Sequence, residues 1–453
     1  MGTLTIFIFY VLKKFYVPKG KYLLFFVIKK LIGVNMDTFY IKGGNALSGS
    51  VKIPAAKNAL LPILAGAIMC EGIVHINNCS NFSDVKYMIK ILEELGVKTK
   101  YENFSLTADC SKADKFFVPE QYTKKVRSSI FMLGPLISRF RYAKVAYPGG
   151  CNIGTRPIDL HIKGLKALNV KIEEKHGFIY CDAKNITSGE VHLDFPSVGA
   201  TENIIMASVL TKGVTRIYNA AKEPEIEDLQ NFINAMGGKV RGAGTSTIEV
   251  EGVKKLHDVS YTPISDRIIS GTYLIACAAT GGKIEISNTI AKHNTALISK
   301  LKQSGCKINI KDDKINLEAL HKLKSISKIE TLPYPGFPTD LQSQILTLQT
   351  ISKGTSMIIE NLFETRFKIY TELTKMGANI IIKDRMAIVH GVKNLFGAKV
   401  TAPDLRSGAG LVIAGLCAEG YTIVNDIYHI DRGYLSIEED LKSLGAEIKR
   451  ETE

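Results

Sequence analysis

The sequence predicts an α/β protein in which one structural unit occurs six times and forms two domains of three units each. Six helix-like runs each end in a turn followed by a short β-like stretch, and the turns recur at intervals of 73, 68, 68, 72 and 68 residues. Each unit also contains an earlier helix that is apolar on nearly all sides, which is typical of a helix buried inside a domain. Because a unit of about 70 residues is too long for a solenoid repeat, two compact domains are expected.

The first element of each unit is the apolar helix. These helices are predicted at NALLPILAGAIM, SSIFMLGPLI, ENIIMASVL, RIISGTYLIACAA, LQSQILTLQTI and GAGLVIAGLCA. A β-rich piece such as GIVHINNC or GKIEISN follows it. The next element is an amphipathic helix such as DVKYMIKILEEL, in which the apolar residues have helical spacing.

The turn after each amphipathic helix carries glycine at its second position, or asparagine in one unit. A residue that ends a helix often adopts the left-handed backbone conformation, which glycine tolerates best and asparagine next. We therefore predict left-handed helix ends at six positions, namely Gly96, Asn169, Gly237, Gly305, Gly377 and Gly445.

Basic residues recur at the predicted starts of the apolar helices. Four of the six starts carry one: Lys57, Arg127, Arg267 and Arg406. The helix dipole disfavours cations at a helix N-terminus, so this repetition predicts that an external anion is bound there, in a cleft between the two domains. For any single position, a side chain that points into solvent is the alternative.

Net charge and cysteine content exclude several classes of protein. The formal charge is +14, but residues 1–35 hold six lysines and no acid, which leaves 14 − 6 = +8 for the rest. The remaining lysines are scattered, so no nucleic-acid partner is expected. The eight cysteines form no CxxC pair, and no two histidines lie four residues apart. We therefore expect neither a disulfide framework nor a metal site, and a reducing, cytoplasmic location fits.

Residues 1–35 form an extension that we do not expect to belong to the fold. Its two apolar runs are short and are interrupted by Lys-Lys pairs and Pro18, whereas about twenty apolar residues are needed to span a bilayer. The order of charged and apolar residues does not match a signal peptide. We predict initiation at Met36 and no stable membrane insertion; a weak membrane-surface anchor is the alternative.

The segment YPGGCNIGTRPIDLH, residues 147–161, combines a thiol, three glycines and an arginine. The glycines allow backbone conformations that are closed to other residues. Arg156 presents a fixed fork of donors that suits phosphate or carboxylate. Cys151 in such a loop predicts chemistry on a phosphorylated substrate.

From Met36 onward, eight motifs resemble those of the UDP-N-acetylglucosamine 1-carboxyvinyltransferase family of enolpyruvyl transferases. They are AAKNALLP, VRSSIFMLGPL, PGGCNIGTRPIDLH, FPSVGATEN, PYPGFPTDLQSQ, FETRF, PDLRSGAGLVIAGL and HIDRGY. The resemblance implies an inside-out α/β barrel, in which two domains of three repeated units have buried helices surrounded by sheets. It implies one domain from 36–56 plus 266–453 and another from 57–265.

The implied reaction moves the enolpyruvyl group of phosphoenolpyruvate to the 3′-hydroxyl of UDP-N-acetylglucosamine and releases phosphate, at the start of peptidoglycan synthesis. Protonating the enol carbon and deprotonating the hydroxyl require an acid and a base. The resemblance assigns Cys151 as the acid, which also forms a covalent adduct with phosphoenolpyruvate, and Asp340 as the base. Without the resemblance, a helix N-cap is an equally good interpretation of Asp340.

The resemblance also implies which residues bind the two small-molecule partners, and it implies no cofactor. For phosphoenolpyruvate they are Lys57, Asn58, Arg406 and Arg432. For the sugar nucleotide they are Arg127, Arg156, Pro157, Ile158, Asp159, Leu160, Ser197, Val198, Gly199, Asp340 and Leu362. Arg366 is a further residue expected at the anion site.

Three positions depart from the family pattern: Ala55 replaces glycine, Ile269 replaces glutamate and Thr365 replaces asparagine. Only Ile269 is expected to matter, by weakening contacts between the domains. Two other functions stay open: a catalytically silent homologue that senses the sugar nucleotide, and an enolpyruvyl transferase that acts on shikimate 3-phosphate. The intact Cys151 and Asp340 argue against the first, and the cysteine loop argues against the second.

Overall fold

The computed structural model describes residues 37–149, 154, 157–319 and 323–452. The extension 1–35, the predicted start at Met36, and the predicted site residues Cys151 and Arg156 lie outside these residues. In the part of the chain that is described, no helix has both the length and the apolar character needed to cross a membrane.

The described residues form thirteen α-helices. In chain order they are α1 Lys57–Ala67, α2 Ser83–Glu94, α3 Glu120–Thr123, α4 Leu133–Phe140, α5 Asp159–Ala167, α6 Val198–Ser208, α7 Pro224–Ala235, α8 Arg267–Thr280, α9 Thr295–Ser304, α10 Gln342–Ile351, α11 Ile369–Lys375, α12 Leu405–Cys417 and α13 Ile437–Ser443. Five 3₁₀ helices cover Arg127–Met132, Ala291–Asn294, Thr339–Leu341, Arg366–Lys368 and Ile427–Arg432.

Six of these helices are the apolar ones predicted, and they are buried. They are α1, α4, α6, α8, α10 and α12, and in α8 every residue is buried. The helices α8, α10 and α12 pack against one another, and α4 packs against α6. The second predicted helix is divided into the 3₁₀ helix Arg127–Met132 and α4. Pro135 occupies the third position of α4, where its missing amide loses no intrahelical hydrogen bond, so an α-helix starts at Leu133.

The six predicted helix ends are confirmed. Each of the six turn residues has a positive φ angle, from 64° at Asn169 to 109° at Gly305. The left-handed residue lets the chain leave each amphipathic helix and enter the next strand directly. The period found in the sequence is therefore the period of the structure.

Twenty-four strands accompany the described helices. They are β1 Asp37–Lys42, β2 Ser48–Lys52, β3 Ile73–Ile76, β4 Lys98–Glu102, β5 Ser105–Asp109, β6 Phe117–Val118, β7 Tyr142–Ala146, β8 Lys171–Lys175, β9 Phe178–Asp182, β10 Glu190–His192, β11 Val214–Tyr218, β12 Lys239–Arg241, β13 Thr247–Glu251, β14 Val259–Tyr261, β15 Lys283–Ser287, β16 Lys307–Lys311, β17 Lys314–Glu318, β18 Lys328–Thr331, β19 Thr355–Glu360, β20 Asn379–Lys383, β21 Met386–His390, β22 Lys399–Thr401, β23 Tyr421–Asn425 and β24 Glu447–Thr452.

These strands form six four-stranded sheets of one design. The orders are β14-β3-β5-β4, β6-β7-β9-β8, β10-β11-β13-β12, β2-β15-β17-β16, β18-β19-β21-β20 and β22-β23-β1-β24. In each sheet the first two strands are parallel and the other neighbours are antiparallel. The predicted inside-out α/β arrangement, with buried helices surrounded by sheets, is confirmed.

The N-terminal strands join sheets formed by the C-terminal half of the chain. Strand β1 lies between β23 and β24, with Asp37 opposite Thr452, and β2 pairs with β15. Strand β14 instead returns to β3. The domain boundaries expected from the sequence remain a prediction, but this pairing explains how the first strands reach the later units.

Candidate active site

A cluster of charged side chains lies where the buried helices begin. Lysine and arginine side chains from α1, α12 and two 3₁₀ helices meet two carboxylates there. The cluster consists of Lys57, Asp84, Asp340, Arg366, Arg406 and Arg432. Because these residues come from both halves of the chain, the fold brings together cations that the sequence predicts at an anion site.

Asp340 is bound by two arginines. Its Oδ1 accepts a hydrogen bond from Arg366 at 2.8 Å, and its Oδ2 accepts one from Arg406 at 2.7 Å. The arginine side chains are 2% and 5% exposed, whereas that of Asp340 is 27% exposed. No side chain caps the 3₁₀ helix that contains Asp340 or the following α10. The N-cap interpretation is therefore wrong, and both carboxylate oxygens are engaged by cations.

The two arginines decide the acidity of Asp340. Burial raises the pKa of this carboxyl, but the charges of Arg406 and Arg366 outweigh burial and hold the pKa well below its usual range. The group is therefore ionised at neutral pH and is a weak proton acceptor in this arrangement. An anion that drew the arginines away would raise its pKa and make it a better base.

Lys57 and Arg432 share a second carboxylate, Asp84 of α2. Lys57 Nζ lies 3.5 Å from Asp84 Oδ2, and Arg432 Nε donates to Asp84 Oδ1 at 2.9 Å. Burial lowers the pKa of Lys57, while Asp84 opposes that shift. Arg406 and Arg432 lower the pKa further, so the three cations lie within electrostatic reach of each other. Asp84 and Asp340 thus each bind two of the four cations, and an anionic ligand would compete with them for the same groups.

Two aspartates position the basic residues through helix capping. Asp404 Oδ1 accepts from the backbone amides of Arg406 and Ser407 at the start of α12. Asp266 caps α8 in the same way, and its Oδ2 also accepts from the Lys57 amide at 3.1 Å. The N-cap residues of α1 and of the helix at Arg127, Ala56 and Val126, make no side-chain cap. At α1 the Asp266 carboxylate takes that place, so carboxylates of the protein itself meet three of the helix starts that carry a basic residue.

Apart from Asp340 and Leu362, the described residues expected at the sugar nucleotide lie at three other helix starts. Asp159 and Leu160 open α5 and follow Pro157 and Ile158, while Arg127 opens a 3₁₀ helix. Ser197 caps α6 through its hydroxyl, which accepts from the amide of Ala200 at 3.4 Å. Val198 and Gly199 follow it in the first turn of α6.

Asn203 ties these three helix starts together. Its side chain is fully buried and bonds to the carbonyl of Ile130 and to the ring of His161. A side chain at Gly199 would also meet that ring, with Cβ 3.0 Å from His161 Cε1. The structure therefore brings together the segments around Arg127, Asp159 and Ser197.

The cysteine loop reaches the other half of the molecule through Gly154. This residue has φ +146°, and a Cβ placed on it would lie 2.4 Å from Oε2 of Glu364. Glu364 lies two residues before Arg366 and two after Leu362, whose amide donates to Glu360 Oε1 at 2.9 Å. Asn58, half-buried, is the second residue of α1. Gly154 therefore lies against the segment that contains Leu362 and Glu364.

Comparison with known proteins agrees with this architecture. Residues 41–441 match the EPSP synthase (3-phosphoshikimate 1-carboxyvinyltransferase) family. The chain belongs to the EPSP synthase family. Within this family, it is 51% identical over 415 residues to UDP-N-acetylglucosamine 1-carboxyvinyltransferase 2 of Caldanaerobacter subterraneus subsp. tengcongensis, covering 92% of this chain and 100% of that protein. It is 47% identical over 417 residues to UDP-N-acetylglucosamine 1-carboxyvinyltransferase 1 of Clostridium acetobutylicum, with the same coverage.

Two solved structures have the same fold as this chain. The enolpyruvyl transferase NikO of Streptomyces tendae superposes with a TM-score of 0.82 at 23% identity and covers 92% of this chain and 100% of that one. An EPSP synthase of Acinetobacter baumannii gives a TM-score of 0.71 at 16% identity, with the same coverage. At these identities the two structures are evidence for the fold alone. The resemblance drawn from the eight motifs is confirmed.

Sequence reasoning missed Asp84 and Asn203. An aspartate in the first turn of α2 is what the helix dipole favours anywhere, so nothing marked Asp84 as a partner of two cations. Ile269 lies in the hydrophobic core at the start of α8, 1% exposed. Next to it, Arg267 forms a buried ion pair with Glu225 at 3.0 Å, which joins α8 to α7. The effect expected from Ile269 remains a prediction.

Proposed function

We propose that this chain transfers the enolpyruvyl group of phosphoenolpyruvate to the 3′-hydroxyl of UDP-N-acetylglucosamine and releases phosphate. This is the first committed step of peptidoglycan synthesis, on which cell shape and division depend, and we place it in the cytoplasm. Relatives that carry the name of this reaction are 46% to 51% identical over more than nine-tenths of the chain. The carboxylate of Asp340, which binds Arg366 and Arg406, is the proposed base in the chemistry described next.

The reaction begins with an addition to the double bond of phosphoenolpyruvate. Cys151 gives a proton to the terminal enol carbon while the sugar 3′-oxygen attacks the neighbouring carbon, and Asp340 takes the proton of that hydroxyl. The product is a tetrahedral intermediate that carries both the phosphate and the sugar. The Cys151 thiolate then takes a proton from the terminal carbon while phosphate departs with the proton held by Asp340, which restores the double bond and both side chains. Each step conserves atoms and charge without a cofactor.

Phosphoenolpyruvate would occupy the cluster around Lys57. Its phosphate and carboxylate would replace the carboxylates of Asp84 and Asp340 as partners of these cations. Lys57, Arg406 and Arg432 would bind these groups, with Asn58 beside them. When Arg406 turns from Asp340 to the substrate, the pKa of Asp340 rises, because the charge that lowers it most is shared with another anion. Binding of the first substrate would thus prepare the base for the second.

The sugar nucleotide would bind at the three helix starts joined by Asn203. Arg127 and Arg156 match the diphosphate in charge, and exposed amides at the first turns of α5 and α6 suit further acceptors. Leu362 would contact the sugar from the other half of the molecule. Closure of the two domains would then bring Cys151 onto the substrates, which the glycines of its loop permit.

The observation that carries the proposal is the carboxylate of Asp340 held between two buried arginines. The test measures phosphate release from phosphoenolpyruvate with UDP-N-acetylglucosamine, with shikimate 3-phosphate and with no acceptor. We expect turnover with the sugar nucleotide alone. Turnover with shikimate 3-phosphate alone would refute the acceptor. Binding of the sugar nucleotide without turnover would identify a sensor instead.

A further inference from the structure

Asn203 is a buried amide whose hydrogen bonds reach three segments of the chain. Its Oδ1 accepts from the backbone amide of Gly134 at 2.8 Å. Its Nδ2 lies 2.9 Å from the carbonyl oxygen of Ile130 and 2.7 Å from Nδ1 of His161. The side chain is fully buried, so each of these bonds replaces one to water.

The partners fix how this amide is oriented. The Gly134 N–H is only a donor, so it must face the amide oxygen, and the two N–H groups of Asn203 must face Ile130 and His161. His161 Nδ1 is then the acceptor, which makes the ring neutral with its proton on Nε2. This Nε2 faces α6, where a Cβ on Gly199 would lie 3.2 Å away from it.

Two of these segments, together with the helix of Asn203 itself, are expected to bind the sugar nucleotide. Ile130 lies in the 3₁₀ helix that begins at Arg127, and His161 directly follows Leu160. Asn203 itself lies one turn after Gly199 in α6. One side chain therefore sets the spacing of three helix starts, although it does not face the ligand itself.

We propose that Asn203 and His161 are positioning residues that hold the sugar-nucleotide site in register. This inference rests on the proposed function, because that function assigns the ligand of these helix starts. The phosphoenolpyruvate residues are held elsewhere: Lys57 and Arg432 by Asp84, and Arg406 by Asp340. Loss of the Asn203 hydrogen bonds therefore weakens binding of the sugar nucleotide and leaves binding of phosphoenolpyruvate unchanged.

The test compares Asn203→Leu, His161→Phe and His161→Gln. Leucine removes all three bonds, and phenylalanine removes the acceptor at nearly constant ring size. The amide oxygen of glutamine can still accept from Asn203, so it is the conservative variant. The matched control is Ser208→Ala on the same helix, since the buried Ser208 hydroxyl bonds only within α6, to the Ile204 carbonyl at 2.8 Å.

The readouts are kcat, the KM for each substrate, and the Kd for UDP-N-acetylglucosamine by calorimetry. We expect Asn203→Leu and His161→Phe to raise the KM and Kd for the sugar nucleotide about 10- to 100-fold, as loss of buried hydrogen bonds predicts. The KM for phosphoenolpyruvate and kcat should stay within about threefold. His161→Gln should recover most of the affinity, and Ser208→Ala should match the wild type.

Equal rises in both KM values, or an unchanged KM for the sugar nucleotide, would overturn the proposal. If Asn203→Leu does not fold, the two His161 variants decide between the outcomes. Amide hydrogen exchange separates this inference from the proposed function, because it needs no ligand. Exchange at residues 127–133 and 157–162 should be faster in Asn203→Leu than in Ser208→Ala, even if the wild type bound no UDP-N-acetylglucosamine; equal exchange would refute the positioning role.

Discussion

The Asp340 carboxylate lies 2.7 Å from a guanidinium nitrogen of Arg406, 66 positions further along the chain. This contact joins two units of the repeat, and it holds the proposed base in its charged and least basic form. A ligand anion competes with Asp340 for the same arginine. The proposed catalytic base and the proposed substrate site are therefore coupled by one side chain.

Asp340→Asn should abolish proton transfer while keeping the shape of the site. An amide oxygen still accepts from one arginine, but the group no longer takes a proton, so kcat should fall about 10²- to 10⁴-fold. Pre-steady-state phosphate release measures this. Asp384→Asn, at an exposed turn, is the control and should keep full turnover. A kcat near that of the wild type would remove Asp340 from the role of base.

Arg406→Leu should destabilise the protein in a pH-dependent way. Removing one partner of a buried pair leaves Asp340 with less compensation, which costs about 3 kcal/mol of unfolding free energy at pH 7. Asp340 has a depressed pKa in the wild type, so its stabilisation is complete above the unfolded value of about 4 and is lost as pH falls. The pKa of Asp340 rises in the variant, so the difference should shrink at acid pH.

Urea unfolding at pH 7 and pH 3 measures this difference between Arg406→Leu and the wild type. The control is Arg216→Leu, which removes a half-exposed partner 3.0 Å from Glu249. An exposed pair of this kind contributes about 1 kcal/mol or less. Equal losses in the two variants would show that burial of the Arg406 pair adds nothing.

Fosfomycin should alkylate one cysteine, Cys151. Burial raises the pKa of Cys79, Cys110, Cys181 and Cys277 to about 12, so these thiols hold almost no reactive thiolate at neutral pH. Mass spectrometry should find the adduct in the tryptic peptide 145–163, since a proline follows Arg156 and prevents cleavage there.

Cys151→Asp supplies the matching variant, because a carboxyl can donate a proton but is not alkylated. We expect it to keep turnover and to resist the drug, whereas Cys181→Ser should stay as sensitive as the wild type. An unchanged sensitivity of Cys151→Asp would contradict the assignment of the acid.

Asp228→Asn should become relatively more stable as pH rises. Burial raises the pKa of Asp228 to about 6, while the Tyr261 hydroxyl, 2.6 Å away, and the Ile264 amide oppose that shift. A raised pKa favours the folded state below the unfolded value of about 4, and this contribution is lost as pH rises through about 6. Between pH 5 and pH 8 the stability difference should move about 1 kcal/mol towards the variant.

Chemical unfolding at both pH values measures that change. Asp194→Asn is the control, because the side chain of Asp194 is 73% exposed. If the two variants had the same pH dependence, the carboxyl of Asp228 would be charged in the folded protein across this range, and its pKa would not be raised.

The repeat could be predicted from the sequence because its signals are local. A glycine or asparagine that ends a helix needs a left-handed backbone whatever surrounds it, so Gly96 and Asn169 mark their turns unaided. Eight motifs in one order likewise identified the family. The helix starts at Lys57 and Arg406 could also be predicted, because each basic residue lies next to its apolar run in the sequence.

The pairings inside the site could not be predicted in this way. Asp84 and Arg432 are 348 positions apart, and only the packing of α2 against the C-terminal half brings them into contact. Asn203 reads as a polar residue within an apolar helix, and its role depends on two other segments. The local pattern at Asp340 fitted a cap equally well, because an aspartate near a helix start is common for that purpose.

Strand β1 has a consequence for the order in which the molecule folds during synthesis. Asp37 leaves the ribosome 415 residues before Thr452, its partner in the sheet. Until then the edges of β1 are open to pairing with other chains. Strands β3 to β14 complete their three sheets within residues 73–261 and can form while translation continues. A six-residue strand at the start of the fold thus leaves its sheet incomplete until β24 has been synthesised.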